Sequence, residues 1–308
     1  MSYLKPTPYV FALVLSSAIA PSAKADFIDD SKMNLALRNL YFNNDSHKNT
    51  TGASKVEEWA QGFRLDYQSG FTEGTLGVGM DMLGLVGLTL DSGSGRHQGS
   101  SMIPSSGNSP ANEWSRFGMS LKMRLSKTEM RIGTLMPKLP VLIANDGRVL
   151  PQTFQGGMMT SNEIEGLTLV AGRLGQATGR GSTDRTGLAV SGGKQESNQF
   201  YFGGMDYKIG SDLLVQYYQS SLEDYYRQHF LGSTHILPIS SNQKLKTDLR
   251  YFRTRSKGAN KSGDPGYQTA GYTRDGQATR YVKYAYDQSN IDVLSIFKRK
   301  KEIAARFY

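Results

Sequence analysis

Along most of the chain the apolar positions recur every second residue. They fall in blocks of about ten residues bounded by Gly, Asn, Ser and Lys, which is the period of half-buried β-strands and not of helices. In 33–42, Met33, Leu35, Leu37 and Tyr41 share one face, with Asn34, Ala36 and Arg38 on the other. In 59–68, Trp59, Phe63, Leu65 and Tyr67 oppose Ala60, Gly62, Arg64, Asp66 and Gln68. The clearest block is 115–125, where Phe117, Met119, Leu121, Met123 and Leu125 oppose Arg116, Gly118, Ser120, Lys122 and Arg124. Further strands are expected at 75–83, 130–135, 167–172, 201–209, 213–220 and 245–252.

Connection lengths decide between the two architectures that alternate in this way. Residues 68–74 and 126–128 are tight, whereas 43–57, 91–112 and 177–198 are long and rich in Gly, Ser, Asn and Thr. Short turns at one end and long loops at the other predict an all-β, antiparallel transmembrane β-barrel; a periplasmic or extracellular sandwich stays open as the alternative. Aromatics near strand ends, Tyr41, Trp59, Tyr67, Trp114, Tyr217 and Tyr251, fit interfacial girdles.

The first 25 residues do not follow the pattern. Lys5 precedes the apolar run 9–20, and Ala23-Lys24-Ala25 is an A-x-A cleavage site, so 1–25 is expected to be a signal peptide cleaved after Ala25. Removing Lys5 and Lys24 lowers the net charge from +9 to +7. The absence of cysteine excludes a disulfide scaffold, a Cys-ligated metal and a thiol nucleophile.

Several stretches resemble the OprD family of substrate-selective outer-membrane porins. They are Asp30-Ser31-Lys32 with Arg38-Asn39-Leu40-Tyr41-Phe42, Glu58-Trp59-Ala60-Gln61-Gly62-Phe63, Ser69-Gly70-Phe71-Thr72-Glu73-Gly74-Thr75, and 90–96. The strongest is 140–154, containing Asn145-Asp146-Gly147-Arg148; Leu222-Glu223-Asp224 and 248–252 follow. The resemblance implies eighteen-stranded barrels, monomeric or loosely trimeric, that pass small carboxylate-bearing solutes such as amino acids or organic acids by facilitated diffusion, with no cofactor. It also implies location in the outer membrane among lipid and lipopolysaccharide, and delivery there by the barrel assembly machinery. The departure begins near Gly258. The chain has sequence for about ten to twelve strands, and 297–308 carries five basic residues against one acid without alternation. The expectation is therefore a barrel portion over 26–290, a basic non-barrel tail over 291–308, and a truncated or frame-shifted family member whose sheet is incomplete.

If the face bearing Phe117, Met119 and Leu121 meets lipid, parity sends Arg38, Arg64, Arg116, Lys122, Arg124, Arg131 and Arg250 into the lumen. Guanidinium groups along a wall match carboxylates at two points each and let an anion step between shallow sites. The alternative is that these cations pair with lumenal acids such as Asp66, Asp81, Asp206 and Asp248 and brace the wall. Residues 137–157 are too rich in Pro, Gly and Asn for a tight turn and too apolar at Val141-Leu142-Ile143 for an exposed loop, so they are expected to fold inward. By the resemblance this segment is the constriction loop, with Asn145, Asp146 and Arg148 at the narrowest point. An Asx turn that leaves Arg148 in solvent is the competing reading.

Catalytic motifs are missing. His229 and His235 lie near Asp224, and His47 and His97 sit in polar loops, but no nucleophile elbow, HExxH, phosphate-binding loop or dinucleotide fingerprint occurs. No enzyme, no metal site and no nucleic-acid partner are expected. A barrel enzyme, a binding or adhesion scaffold, and a non-functional remnant remain the rivals to a porin.

Overall fold

The computed structural model describes residues 27–45, 55–93, 95–97, 100–107, 109–191, 193–240 and 243–267, and the backbone of 289–292. The expected signal peptide and, apart from the backbone of residues 291 and 292, the basic tail lie outside the described residues. Numbered in chain order, the strands are β1 (Lys32–Asp45), β2 (Lys55–Gln68), β3 (Leu76–Asp91), β4 (Ser105–Ser106), β5 (Ser109–Pro110), β6 (Glu113–Leu125), β7 (Thr128–Leu135), β8 (Lys138–Leu139) and β9 (Leu142–Ile143). Then follow β10 (Thr153–Ser161), β11 (Leu167–Thr178), β12 (Arg185–Thr186), β13 (Phe200–Ile209), β14 (Leu213–Leu222), β15 (Tyr226–Ser240), β16 (Gln243–Ser256) and β17 (Ser289–Asp292).

Thirteen of them form one sheet in the order β1-β2-β3-β6-β7-β10-β11-β13-β14-β15-β16-β17, with β12 attached to β11. Every neighbouring pair is antiparallel and consecutive along the wall, the meander of an up-and-down barrel. Among the described residues the sheet is open, because β1 pairs with β2 alone and β17 with β16 alone.

Register turns the alternation into two continuous faces. Leu35 lies opposite Leu65, Met82 opposite Met119, and Leu121 opposite Ile132, all on the outer face. Met33 and Phe117 are 71% and 65% exposed, whereas on the other face of β6 Gly118, Ser120 and Lys122 are buried. An apolar belt of this extent has no counterpart on a water-soluble sandwich, which would bury it against a second sheet; it is the surface that hydrocarbon covers. Tyr41 stands opposite Trp59 at one edge of the belt, and Tyr67 lies at the other. Trp114 corrects the expected girdle. Its parity turns it inward, where it is buried, and its ring occupies the space left by the missing side chain of Gly87.

Two long wall strands, β10 and β15, and the four-residue β17 lie outside the expected set. β10 begins inside the stretch expected to be loop to residue 157; its Gly156-Gly157 pair removes the side chains that would have shown alternation. β15 carries Pro238 and a register shift between Pro238 and Ser240, so its period-two signal breaks near one end. After β16, helix α1 (Gly258–Ser262) folds back on the turn at Asp224, whose carbonyl accepts from the Asn260 amide at 2.8 Å.

Candidate functional site

Residues 136–152, between β7 and β10, fold onto the face of the sheet opposite the apolar belt. Their β8–β9 hairpin buries Val141 and leaves Ile143 exposed, while Val149 and Leu150 insert among Ala60, Leu85 and Trp114. Gly62 makes this seat possible. A Cβ there would lie 2.7 Å from Val149 Cγ1 and 2.8 Å from the Val149 carbonyl oxygen, so any side chain on this wall position would displace the loop.

Wall arginines hold the loop from two sides. Arg38 donates from Nη1 to Asp146 Oδ1 at 2.7 Å and to the Asp146 carbonyl at 2.9 Å, and from Nη2 to Asp146 Oδ2 at 3.2 Å. It also donates to the Arg148 carbonyl. Arg116 donates to the Pro151 carbonyl at 2.8 Å and the Gly179 carbonyl at 3.0 Å. Asn145 makes an Asx turn, accepting from the Gly147 amide at 3.1 Å. Arg148 does not stand in solvent. Its Nε donates to the Ser100 carbonyl at 2.8 Å, and its guanidinium lies 5.1 Å from the Phe42 ring centre.

This arrangement sets the charge balance of the loop. Asp146 is neutralised by Arg38, whereas Arg148 and Arg180 have no carboxylate partner among the described residues. Arg180, in the loop after β11, has its pKa lowered by burial and secondarily by the charge of Arg148. Between loop and wall lies a cavity of about 230 Å³ bordered by Arg38, Arg64, Asp66 and Asp146. A second, about 220 Å³, is bordered by Arg116, Thr134, Thr153, Gln155, Thr178 and Arg185.

Farther from the long loops the cations are paired. Arg64 holds Asp66 at 2.7 and 2.8 Å, Asp81 sits between Lys122 at 2.8 Å and Arg131 at 3.1 Å, and Arg131 also binds Glu129. Arg250 pairs with Asp248 at 2.8 Å. Asp206 instead accepts from Gln216 at 2.9 Å. Lys122 is enclosed: it donates to the Ser69 carbonyl at 2.7 Å and lies 4.8 Å from the Phe71 ring, which Arg124 also covers at 4.2 Å. The turn 69–75 thus folds inward over these two cations. All seven wall cations share the loop-bearing face, and bracing accounts for most of their contacts.

Glu58 is a buried carboxylate that parity alone did not single out. It accepts from Ser100 and contacts His97 Nδ1, while His97 Nε2 contacts Ser105 Oγ at 2.8 Å. These contacts pin the 92–112 connection to β2. Arg180 and Arg185 were also missed, since they lie in a loop where no period marks an inward position.

The model of the outer membrane porin, OprD family, matches residues 25–287. The porin-like protein GalP of Pseudomonas putida is 37% identical over 270 residues, covering 87% of this chain and 65% of GalP. The crystal structure of Pseudomonas aeruginosa OccK8 (OprE) superposes with a TM-score of 0.73 at 45% identity, covering 82% of this chain and 62% of that one. Pseudomonas aeruginosa OpdK, crystallised with vanillate, superposes with a TM-score of 0.70 at 36% identity, covering 76% and 60%. The chain thus spans somewhat less than two thirds of the length of these relatives. The family match over most of the chain and the identity to these relatives agree, and the chain belongs to the OprD family of outer-membrane porins.

Proposed function

We propose that the chain forms the wall and constriction of a porin that passes small carboxylate-bearing solutes by facilitated diffusion. The observation that carries this reading is the charge balance at the inward loop, where among the described residues Arg148 and Arg180 are left without a carboxylate while Asp146 is taken by Arg38. A solute carboxylate entering there meets guanidinium groups in a narrow, partly dehydrated space where attraction is strongest. From the constriction, Arg116 with Arg185 offers the next site. Arg64, Arg131 and Arg250, each holding an acid, give shallow sites that release the anion, while Lys122 and Arg124 serve the turn at Phe71. Vanillate, carried in the crystal by a relative, is itself a small carboxylate. No catalytic step belongs to this reading, and its partners are outer-membrane lipid and the assembly machinery, with the barrel acting as a monomer or loose homotrimer.

The test is conductance and flux through protein reconstituted in planar bilayers. Arg148→Ala with Arg180→Ala should lower anion over cation preference by about threefold to tenfold, and should slow a small carboxylate more than an uncharged sugar of similar size. Unchanged selectivity would refute the electrostatic account, and equal slowing of both solutes would make the loop a plug. Hydrolysis of an ester reporter that is lost in Ser105→Ala would instead favour a barrel enzyme built on the Ser105–His97–Glu58 contacts.

A further inference from the structure

Above its apolar belt the outer face differs between the two halves of the wall. Near β1–β3, the charges at the long-loop end neutralise one another: Lys55, Glu57, Arg96 and Asp91 pair at 2.6 to 3.4 Å. Across β11 to β16 the register places an apolar and aromatic row, Leu169, Met205, Tyr217, Leu231 and Tyr251, on the outer face. One step toward the long loops the row contains His229 opposite Arg253. One step further it contains Arg173, Tyr201, Arg227 and Arg255.

Arg173, Arg227, Arg253 and Arg255 are exposed, and none pairs with a carboxylate among the described residues. Arg227 and Arg255 face each other directly across neighbouring strands. Like charges in that position destabilise a sheet; on the inner face the directly opposed Lys122 and Arg131 share Asp81. Among the described residues no carboxylate supplies the counter-charge that these arginines would take.

We propose that this basic rim docks the phosphate groups of outer-leaflet lipopolysaccharide. The patch faces away from the lumen, so a permeating solute does not meet it. It begins directly above the apolar row, which puts it at headgroup height when the long loops face outward. Guanidinium groups bind phosphate oxygens in pairs, and the exposed belt below, with Leu231 and Leu169, receives the acyl chains. Arg173, 5.6 Å over the Tyr201 ring, borders the patch on the β11 side.

Binding of lipopolysaccharide to the detergent-solubilised full chain tests the proposal, with native and enzymatically dephosphorylated lipid compared and inorganic phosphate added as competitor. Removal of the phosphates, or the Arg227→Ser/Arg255→Ser double substitution, should each weaken binding at least about tenfold. Lys55→Ser, on the self-neutralised rim, and Arg227→Lys/Arg255→Lys, which keeps the charge, should change it little. Equal affinity for the two lipids would overturn the proposal on the unaltered chain, whatever the variants do. Displacement by inorganic phosphate at matched concentration would also overturn it, since the site would then serve free anions. Conductance plays no part in these readings, so the proposal stands or falls apart from the transported solute.

Discussion

Lys122 marks the difference between the side a residue faces and the work it does there. Alternation in β6 requires it to point inward, and it does, but period-two reasoning is blind to what meets it. The side chain is 4% exposed, held by Asp81 at 2.8 Å and the Ser69 carbonyl at 2.7 Å. Removing one member of an enclosed ion pair strands the other, at a cost of about 3 kcal/mol. Lys122→Met should lower the stability of the detergent-folded protein to urea by that order, and adding Asp81→Asn should recover much of the loss. A single substitution that costs less than about 0.5 kcal/mol would mean that Arg131 alone satisfies Asp81. The same limit applied along the lumen: Arg38, Arg64 and Arg116 were legible as inward, whereas their partners, an inserted loop and nearby acids, depend on contacts between residues far apart in sequence.

For elements, legibility followed side-chain contrast. β1, β2 and β6 have bulky apolar residues against polar ones, and the expected spans 33–42, 59–68 and 115–125 lie inside them, short by two to four residues at one end, while β10 has two adjacent glycines and β15 a proline with a register shift. The inward course of 136–152 was legible from its composition, but its seat was not, because that seat is an absence of atoms at Gly62. Gly62→Val should lift the loop from β2, since the new side chain would overlap Val149 backbone as well as side chain. Single-channel conductance should rise and anion preference fall as the constriction relaxes. Gly84→Val is the control, because its Cβ would point outward and meet nothing closer than 3.7 Å. If both substitutions leave conductance unaltered, the loop does not narrow the path.

At the scale of the whole molecule, strand direction links every other assignment. β1, β3, β7, β11 and β14 all run toward one end, where the connections 92–112, 136–152 and 179–199 lie; the turns 69–75, 126–127, 162–166 and 210–212 lie at the other. The connection 223–225 is the exception, a tight turn at the long-loop end, stabilised by the Tyr225 amide donating to the Leu222 carbonyl at 3.1 Å. Loop length orients such barrels with long connections outside and short turns in the periplasm. A chain without cysteine makes the orientation measurable with single introduced thiols. Ser101→Cys, in the 92–112 connection, should react with a membrane-impermeant maleimide on intact cells, and Lys127→Cys should react only after the outer membrane is opened. Both side chains are exposed to water, so burial does not bias the comparison. The reverse pattern would invert the wall, and the basic rim of β15 and β16 would then face the inner leaflet, where lipopolysaccharide could not reach it.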